Sequence, residues 1–231
     1  MKVRTIAVAL AMVLCLAASA SASQLKISET QVQFGNMKEG PNAEKTITLT
    51  NVSGTDAVVA NVSTSCACTT TRLDKTELAP GETATMVITY HTFKYPGKFD
   101  KTVHVFTGAD GRTEDVVHIL GYVDPIPMGV MEVDPRKVDL GTLKAGQANA
   151  VSVRVTNAGD APMKVTALKS QKFGKTYWQG GLTVPAGQSV NIGFALEGLA
   201  PGRFLDMVMI HSDARNDIGK GYKAVLIGTV K

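Results

Sequence analysis

The chain has 231 residues, 44% of them hydrophobic and 19% charged, and carries a formal net charge of +4. Its basic residues are scattered rather than gathered into a stripe, which excludes the electrostatic footprint of a nucleic-acid binder. Three cysteines are too few for a disulfide framework.

The N-terminus opens with Lys2 and Arg4, an apolar run from Ile6 to Ala18, and Ala18-Ser19-Ala20-Ser21-Ala22. This is the pattern of a cleavable secretory signal peptide over residues 1–22. The apolar run is shorter than the roughly 20 residues a spanning helix needs, so no membrane span is expected in the mature chain. Leu14 stands before Cys15 where a lipobox requires a small residue, which argues against lipidation. Removing Lys2 and Arg4 with the signal lowers the formal charge from +4 to +2. Cys66 and Cys68 then remain, in a periplasmic or extracellular setting where disulfides persist.

The next segments alternate with period two, as in Lys45-Thr46-Ile47-Thr48-Leu49-Thr50, and Gly, Pro, Asn and Asp clusters interrupt them. That pattern predicts short antiparallel strands of a sandwich. Val58, Ala60, Val62, Thr64, Cys66 and Cys68 share one parity, so an unbroken strand would turn both thiols to its apolar side. Three readings follow for Cys66-Ala67-Cys68. They are packed thiols, with cysteine behaving as a small hydrophobe; a disulfide, which needs a bend because residues two apart in a strand lie about 6.6 Å apart, near the roughly 6.8 Å limit for bridged Cα atoms; or two ligands of a metal. Parity favours the packed thiols. Further along, a hairpin around Gly108-Ala109-Asp110-Gly111 that pairs Val105 with Val117 would set His104 beside His118, both facing outward and away from the thiols.

Asp124-Pro125-Ile126-Pro127-Met128-Gly129 reads as a short stiff linker. Beyond it the chain repeats. Phe34-Gly35 returns as Leu140-Gly141, Asn51 as Asn157 and Gly81 as Gly187, all at an offset of 106, and Pro96-Gly97-Lys98-Phe99 returns as Pro201-Gly202-Arg203-Phe204 at 105. Four landmarks in one order indicate duplication. The expected organisation is a signal peptide (1–22), a first immunoglobulin-like β-sandwich with the CxC motif (23–123), a Pro-rich linker (124–130) and a second sandwich without the cysteines (131–231). Phe34-Gly35, Asn51, Ser65-Cys66-Ala67-Cys68-Thr69, Leu78-Ala79-Pro80-Gly81, Pro96-Gly97-Lys98-Phe99 and Gly121 together resemble the bacterial "domain of unknown function" family fifteen-seventy-three, which is similar to Hydin-type immunoglobulin-like domains. The resemblance implies an exported β-sandwich and supplies no accepted activity. Ala67 stands where that family usually has Gly, and the second copy has Lys172 and Gly174 in place of the cysteines.

In the second copy Lys172-Phe173-Gly174-Lys175-Thr176 imitates the tail of a phosphate loop, but Lys169 occupies the first glycine's place and no strand-to-helix context follows. Gly219-Lys220-Gly221 precedes a strand and so is not a dinucleotide fingerprint. Met207-Val208-Met209 with His211 invites a copper reading, against which an alternating Met and Val strand is ordinary sandwich core. Tyr177 and Trp178, flanked by glycines, are the candidate partner-binding residues, because exposed aromatics anchor interfaces.

No nucleophile elbow, zinc helix or paired acids are present in the sequence, so neither catalysis nor a cofactor is expected. The sequence therefore favours a non-catalytic binding or scaffold protein of the cell envelope, with another envelope or extracellular protein as partner. The competing readings are a periplasmic thiol- or metal-handling protein using Cys66 and Cys68, and a pilus-type chaperone acting by strand addition.

Overall fold

The computed structural model describes residues 23–108 and 110–231, so the expected signal peptide lies outside the described residues. The first repeat supplies β1 (Leu25–Ile27), β2 (Gln31–Lys38), β3 (Ala43–Asn51), β4 (Ala57–Thr64), β5 (Thr69–Leu73), β6 (Glu77–Leu78), β7 (Thr83–Tyr90), β8 (Gly97–Thr107) and β9 (Thr113–Asp124). They form sheets of order β1-β3-β7-β5 and β2-β9-β8-β4-β6. The second repeat supplies β10 (Met131–Glu132), β11 (Lys137–Leu143), β12 (Asn149–Asn157), β13 (Met163–Ser170), β14 (Thr176–Val184), β15 (Ser189–Leu196), β16 (Gly202–Ser212) and β17 (Tyr222–Val230). Their sheets have order β10-β12-β15 and β11-β17-β16-β13-β14. The protein is all-β, two tandem immunoglobulin-like sandwiches of antiparallel sheets, in which β11 pairs with β17 in parallel.

Alternation makes these strands amphipathic. Along β15, Ile192, Phe194 and Leu196 are buried while Asn191, Gly193 and Ala195 are exposed, and Ile192 sits across from buried Val153. The second repeat's core gathers Met131, Val153, Val155, Leu168, Ile192, Val208, Ile210 and Leu226 among others. Each such side chain contributes about 1.5–3 kcal/mol by leaving water. Two of the landmarks that repeat at 106 take matching positions. Asn51 and Asn157 are both buried, and each donates through Nδ2 to two carbonyls, Thr55 and Leu78 in the first repeat, Ala161 and Val184 in the second. The backbone amides of Gly81 and Gly187 donate to the carbonyls of those same asparagines. Both glycines have positive φ (79° and 72°), a conformation that penalises any residue with a Cβ.

The repeats diverge after their fourth landmark strand. In the first, the chain leaves β4, turns through Ser65–Cys68, gives β5 to the sheet of β7, and returns β6 to β4. In the second, β14 stays whole beside β13, its register broken where Gly180 and Gly181 fall. Among the described residues, β15 is therefore hydrogen-bonded to β12 on one side only.

Two compact units emerge from the packing. The first holds the described residues up to Gln33 with Glu44–Thr89 and Asp100–Ile119; the second holds Phe34–Ala43, Tyr90–Phe99 and Leu120–Lys231. Inside the second unit Tyr90 stacks on Phe99 at 3.9 Å and Phe34 lies 6.2 Å from each. Gly121 lacks a side chain of necessity, because a Cβ there would stand 2.7 Å from the Phe99 ring.

Candidate functional site

Cys66 and Cys68 are joined by a disulfide, with Cα atoms 5.2 Å apart. This corrects the expectation of two packed thiols on an unbroken strand. Ala57 and Val59 are the buried residues of β4 before an irregularity between Val59 and Asn61 in its pairing with β8. Beyond it Val62 and Thr64 are the half-buried ones, so the inward side does run on to Cys66 and Cys68. But β4 ends at Thr64, and the cysteines sit in a turn rather than a strand. The turn is held by Thr64, whose hydroxyl donates to the carbonyls of Cys66 and Thr69, and by the Thr69 amide donating to the Cys66 carbonyl. Cys66 is half-buried and Cys68 is 1% exposed. The Thr69 hydroxyl lies 3.4 Å from the Cys66 sulfur and 3.9 Å from that of Cys68. In this oxidised form neither sulfur is a thiolate, so the expected metal role of Cys66 and Cys68 could apply only to the reduced pair. Among the described residues no group of three or more His, Cys, Asp or Glu side chains could hold a metal ion.

Both candidate histidines carry carboxylate partners rather than each other. His104 Nδ1 pairs with Glu114 and its Nε2 with the Thr102 hydroxyl at 2.8 Å, while His118 Nδ1 pairs with Asp100 at 3.0 Å. The expected His104–His118 neighbourhood is thus replaced by two carboxylate pairs. Both rings do face outward, with side-chain exposures of 30% and 47%. Met207 and Met209 are not core. Phe204, Asp206, Val208 and Ile210 take the buried parity of β16, and the methionines lie half-buried on its other face.

Tyr177 lines a groove of about 340 Å³ beside the open edge of β15, together with Phe173, Lys175, Leu196, Glu197 and Leu199. Its ring stacks on Phe194 at 5.4 Å, and its hydroxyl donates to the fully buried Asp206 carboxylate at 2.7 Å. Burial, and then the Asp206 hydrogen bond, push the Tyr177 phenol well above its ordinary pKa, so it stays a neutral donor. Phe173 is 44% exposed at the groove's mouth. Trp178 does not line the groove. It is half-buried against the core opposite Leu168, with its ring over Gly180, where a Cβ would come within 2.8 Å.

Sequence reasoning overlooked a charged cluster that lies wholly in the second compact unit. The Glu39 side chain is fully buried, and Arg215 Nη1 donates to both of its oxygens at 2.7 and 2.6 Å. The backbone amides of Lys94 and Ile126 donate to the same carboxylate at 2.8 and 3.0 Å. Burial opposes ionisation of Glu39, but the Arg215 hydrogen bonds, the two amides and the Arg215 charge together outweigh it, and the carboxyl titrates below its ordinary value. Lys94, at φ 67°, donates through Nζ to the carbonyls of Ala214 and Asp217. One signal was available: Glu39 puts a charge where the second repeat has Ala145.

Fold and site together define an all-β protein of tandem immunoglobulin-like sandwiches whose first copy carries a disulfide turn. Residues 25–123 match the family described as "Protein of unknown function (DUF1573)". No curated protein matches. Among solved structures, a protein of unknown function from Porphyromonas gingivalis W83 is 15% identical, covering 90% of this chain and 100% of that one at a TM-score of 0.36. The Pseudomonas aeruginosa CupB2 chaperone is 13% identical over 87% of this chain and 98% of its own, at 0.33. The ASH/PapD-like domain 7 of human CEP192 is 12% identical over 55% and 98%, at 0.37. Among the described residues no helix is long and apolar enough to cross a membrane.

Proposed function

We propose that this is an exported, non-catalytic binding or scaffold protein of the cell envelope, which presents loops and sheet faces of its sandwiches to another envelope or extracellular protein. The observation that carries the reading is the groove beside β15, where exposed Phe173 and half-buried Tyr177 flank a strand edge with no ladder partner among the described residues. Apolar contacts framed by unused backbone groups are what a protein ligand recognises. The test is capture from envelope extract by the full chain. Phe173→Ala, at an exposed position, should leave the melting temperature unchanged and reduce capture at least fivefold. Trp178→Ala should instead cost up to about 3 kcal/mol of stability, because that ring packs on the core. Equal capture by wild type and Phe173→Ala, with normal stability, would reject the groove as the contact. N-terminal sequencing of the protein from fractionated cells tests export, with a mature start near Ser21 or Ser23 expected.

A thiol-handling role is the second reading, and the Cys66–Cys68 bond itself favours it. An incoming thiolate would attack half-buried Cys66, forming a mixed disulfide and releasing the buried Cys68 thiolate. A second thiol attacking the mixed disulfide would free Cys66, so that two thiols leave as a disulfide and the pair becomes the dithiol. The ring closed by the bond is very small, so reduction should cost only on the order of 1–2 kcal/mol. Denaturant unfolding with and without dithiothreitol measures this; a cost above 4 kcal/mol would mean that the bond is chiefly structural.

A further inference from the structure

The two repeats treat one position differently. The strands β7 and β15 correspond at the offset of 106, Thr83 with Ser189 and Tyr90 with Leu196. In the first repeat β7 has neighbours on both sides, β3 and β5. In the second repeat β15 has β12 on one side, paired from Asn149↔Leu196 to Thr156↔Ser189, and among the described residues no hydrogen-bonded strand on the other. The residues that correspond to β5 belong to the stretch around β14, which is committed to β13. The groove lined by Phe173, Tyr177, Leu196 and Leu199 lies at the end of β15, between it and the Lys175–Tyr177 stretch, where β14 packs close without joining its ladder.

We propose that the open edge of β15 binds an extended segment of a partner polypeptide by strand addition, in the place that β5 fills beside β7. This deepens the binding reading and rests on it. Backbone groups of β15 would supply the affinity, and the groove would take alternate side chains of the guest. The occupant's chemistry follows from the walls and from the internal precedent. Lys175 and Glu197 carry opposite charges and leave the groove without a net sign, which selects a neutral guest. The first repeat's own occupant, Thr69-Thr70-Thr71-Arg72-Leu73, turns β-branched Thr69 inward at 3% exposure and half-buries Thr71 and Leu73, leaving Thr70 and Arg72 outside. The partner is therefore an extended segment with Thr, Val or Leu at every second position.

The probe is a synthetic peptide of residues 69–78, added to the full chain and followed by calorimetry and by amide hydrogen exchange. Binding should slow exchange in β15 at least tenfold. The same peptide N-methylated at alternate residues keeps its side chains but cannot join a ladder, and it should bind at least tenfold more weakly. Ala195→Arg, at an exposed groove position, should weaken binding at least tenfold with melting unchanged. Equal affinity of the methylated peptide, unchanged affinity of Ala195→Arg, or no binding at millimolar peptide would each overturn the proposal. Self-association of the chain that the peptide reverses would overturn it too, by making a second copy the occupant. If strand addition fails while Phe173→Ala still reduces envelope capture, the binding reading survives without it.

Discussion

Arg215→Ala should destabilise the second compact unit by about 3–5 kcal/mol, the range for removing one partner of a buried ion pair. The Glu39 carboxylate would lose both hydrogen bonds of its cation while its side chain remains fully buried. The pH dependence identifies the cause. In the native protein the Glu39 pKa is lowered, so its contribution is present above the ordinary value of 4.5 and fades as pH falls through the folded pKa. In Arg215→Ala burial would prevail and raise that pKa, and the native state would take up a proton that relieves the buried charge. The destabilisation should therefore be largest near neutrality and shrink in acid. Denaturant unfolding between pH 3 and 7 measures this, and a loss that stays constant over the range would defeat the account. Glu39→Gln, which keeps the shape and removes the charge, should cost less than Arg215→Ala at pH 7.

Asn157→Ala should cost about 2–4 kcal/mol, because it strips four hydrogen bonds from one buried side chain. Its Nδ2 serves the carbonyls of Ala161 and Val184, and its Oδ1 accepts from the amides of Val130 and Gly159. Asn157→Asp separates donors from acceptor. The carboxylate would still accept from both amides but would face two carbonyls without a proton, so this variant should be as unstable as Asn157→Ala at pH 7 and recover in acid. Calorimetry at pH 4 and pH 7 reads the difference, and a cost below 1 kcal/mol for Asn157→Ala would show that the lock is dispensable.

The sequence revealed what period and turn chemistry control. Alternation exposed the strands, and the 106-residue offset linked Asn51 to Asn157 and Gly81 to Gly187 before any contact was known. What it concealed depends on small local irregularities. The even side does face inward from Val62 to Cys68, but β4 stops at Thr64, and the bend at Ser65–Cys68 brings the sulfurs into bonding range. At β16 the Met-Val alternation misled, because buried Asp206 shares the inward side with Phe204 and Val208 and leaves Met207 and Met209 on the other. Tyr177 was legible as a candidate, but its tie to Asp206 was not, because the two are 29 residues apart and nothing local couples them. The open edge of β15 is likewise a matter of which sheet β14 joins, a choice made by tertiary packing rather than by propensity.

Glu39 and Arg215 are separated by 176 residues, which has a kinetic consequence. Closing so long a loop has a large entropic cost, and a chain made from its N-terminus has Glu39 in solution long before Arg215 exists. Until then the carboxylate keeps its water, and nothing holds it in the place it will occupy. The ion pair should thus form after the local hairpins of both repeats, which a folding rate unchanged by Arg215→Ala would bear out. Contacts absent from the folding transition state govern how fast a protein unfolds rather than how fast it folds. Loss of Arg215 therefore shortens the lifetime of the folded second unit while leaving the rate at which it assembles nearly unchanged.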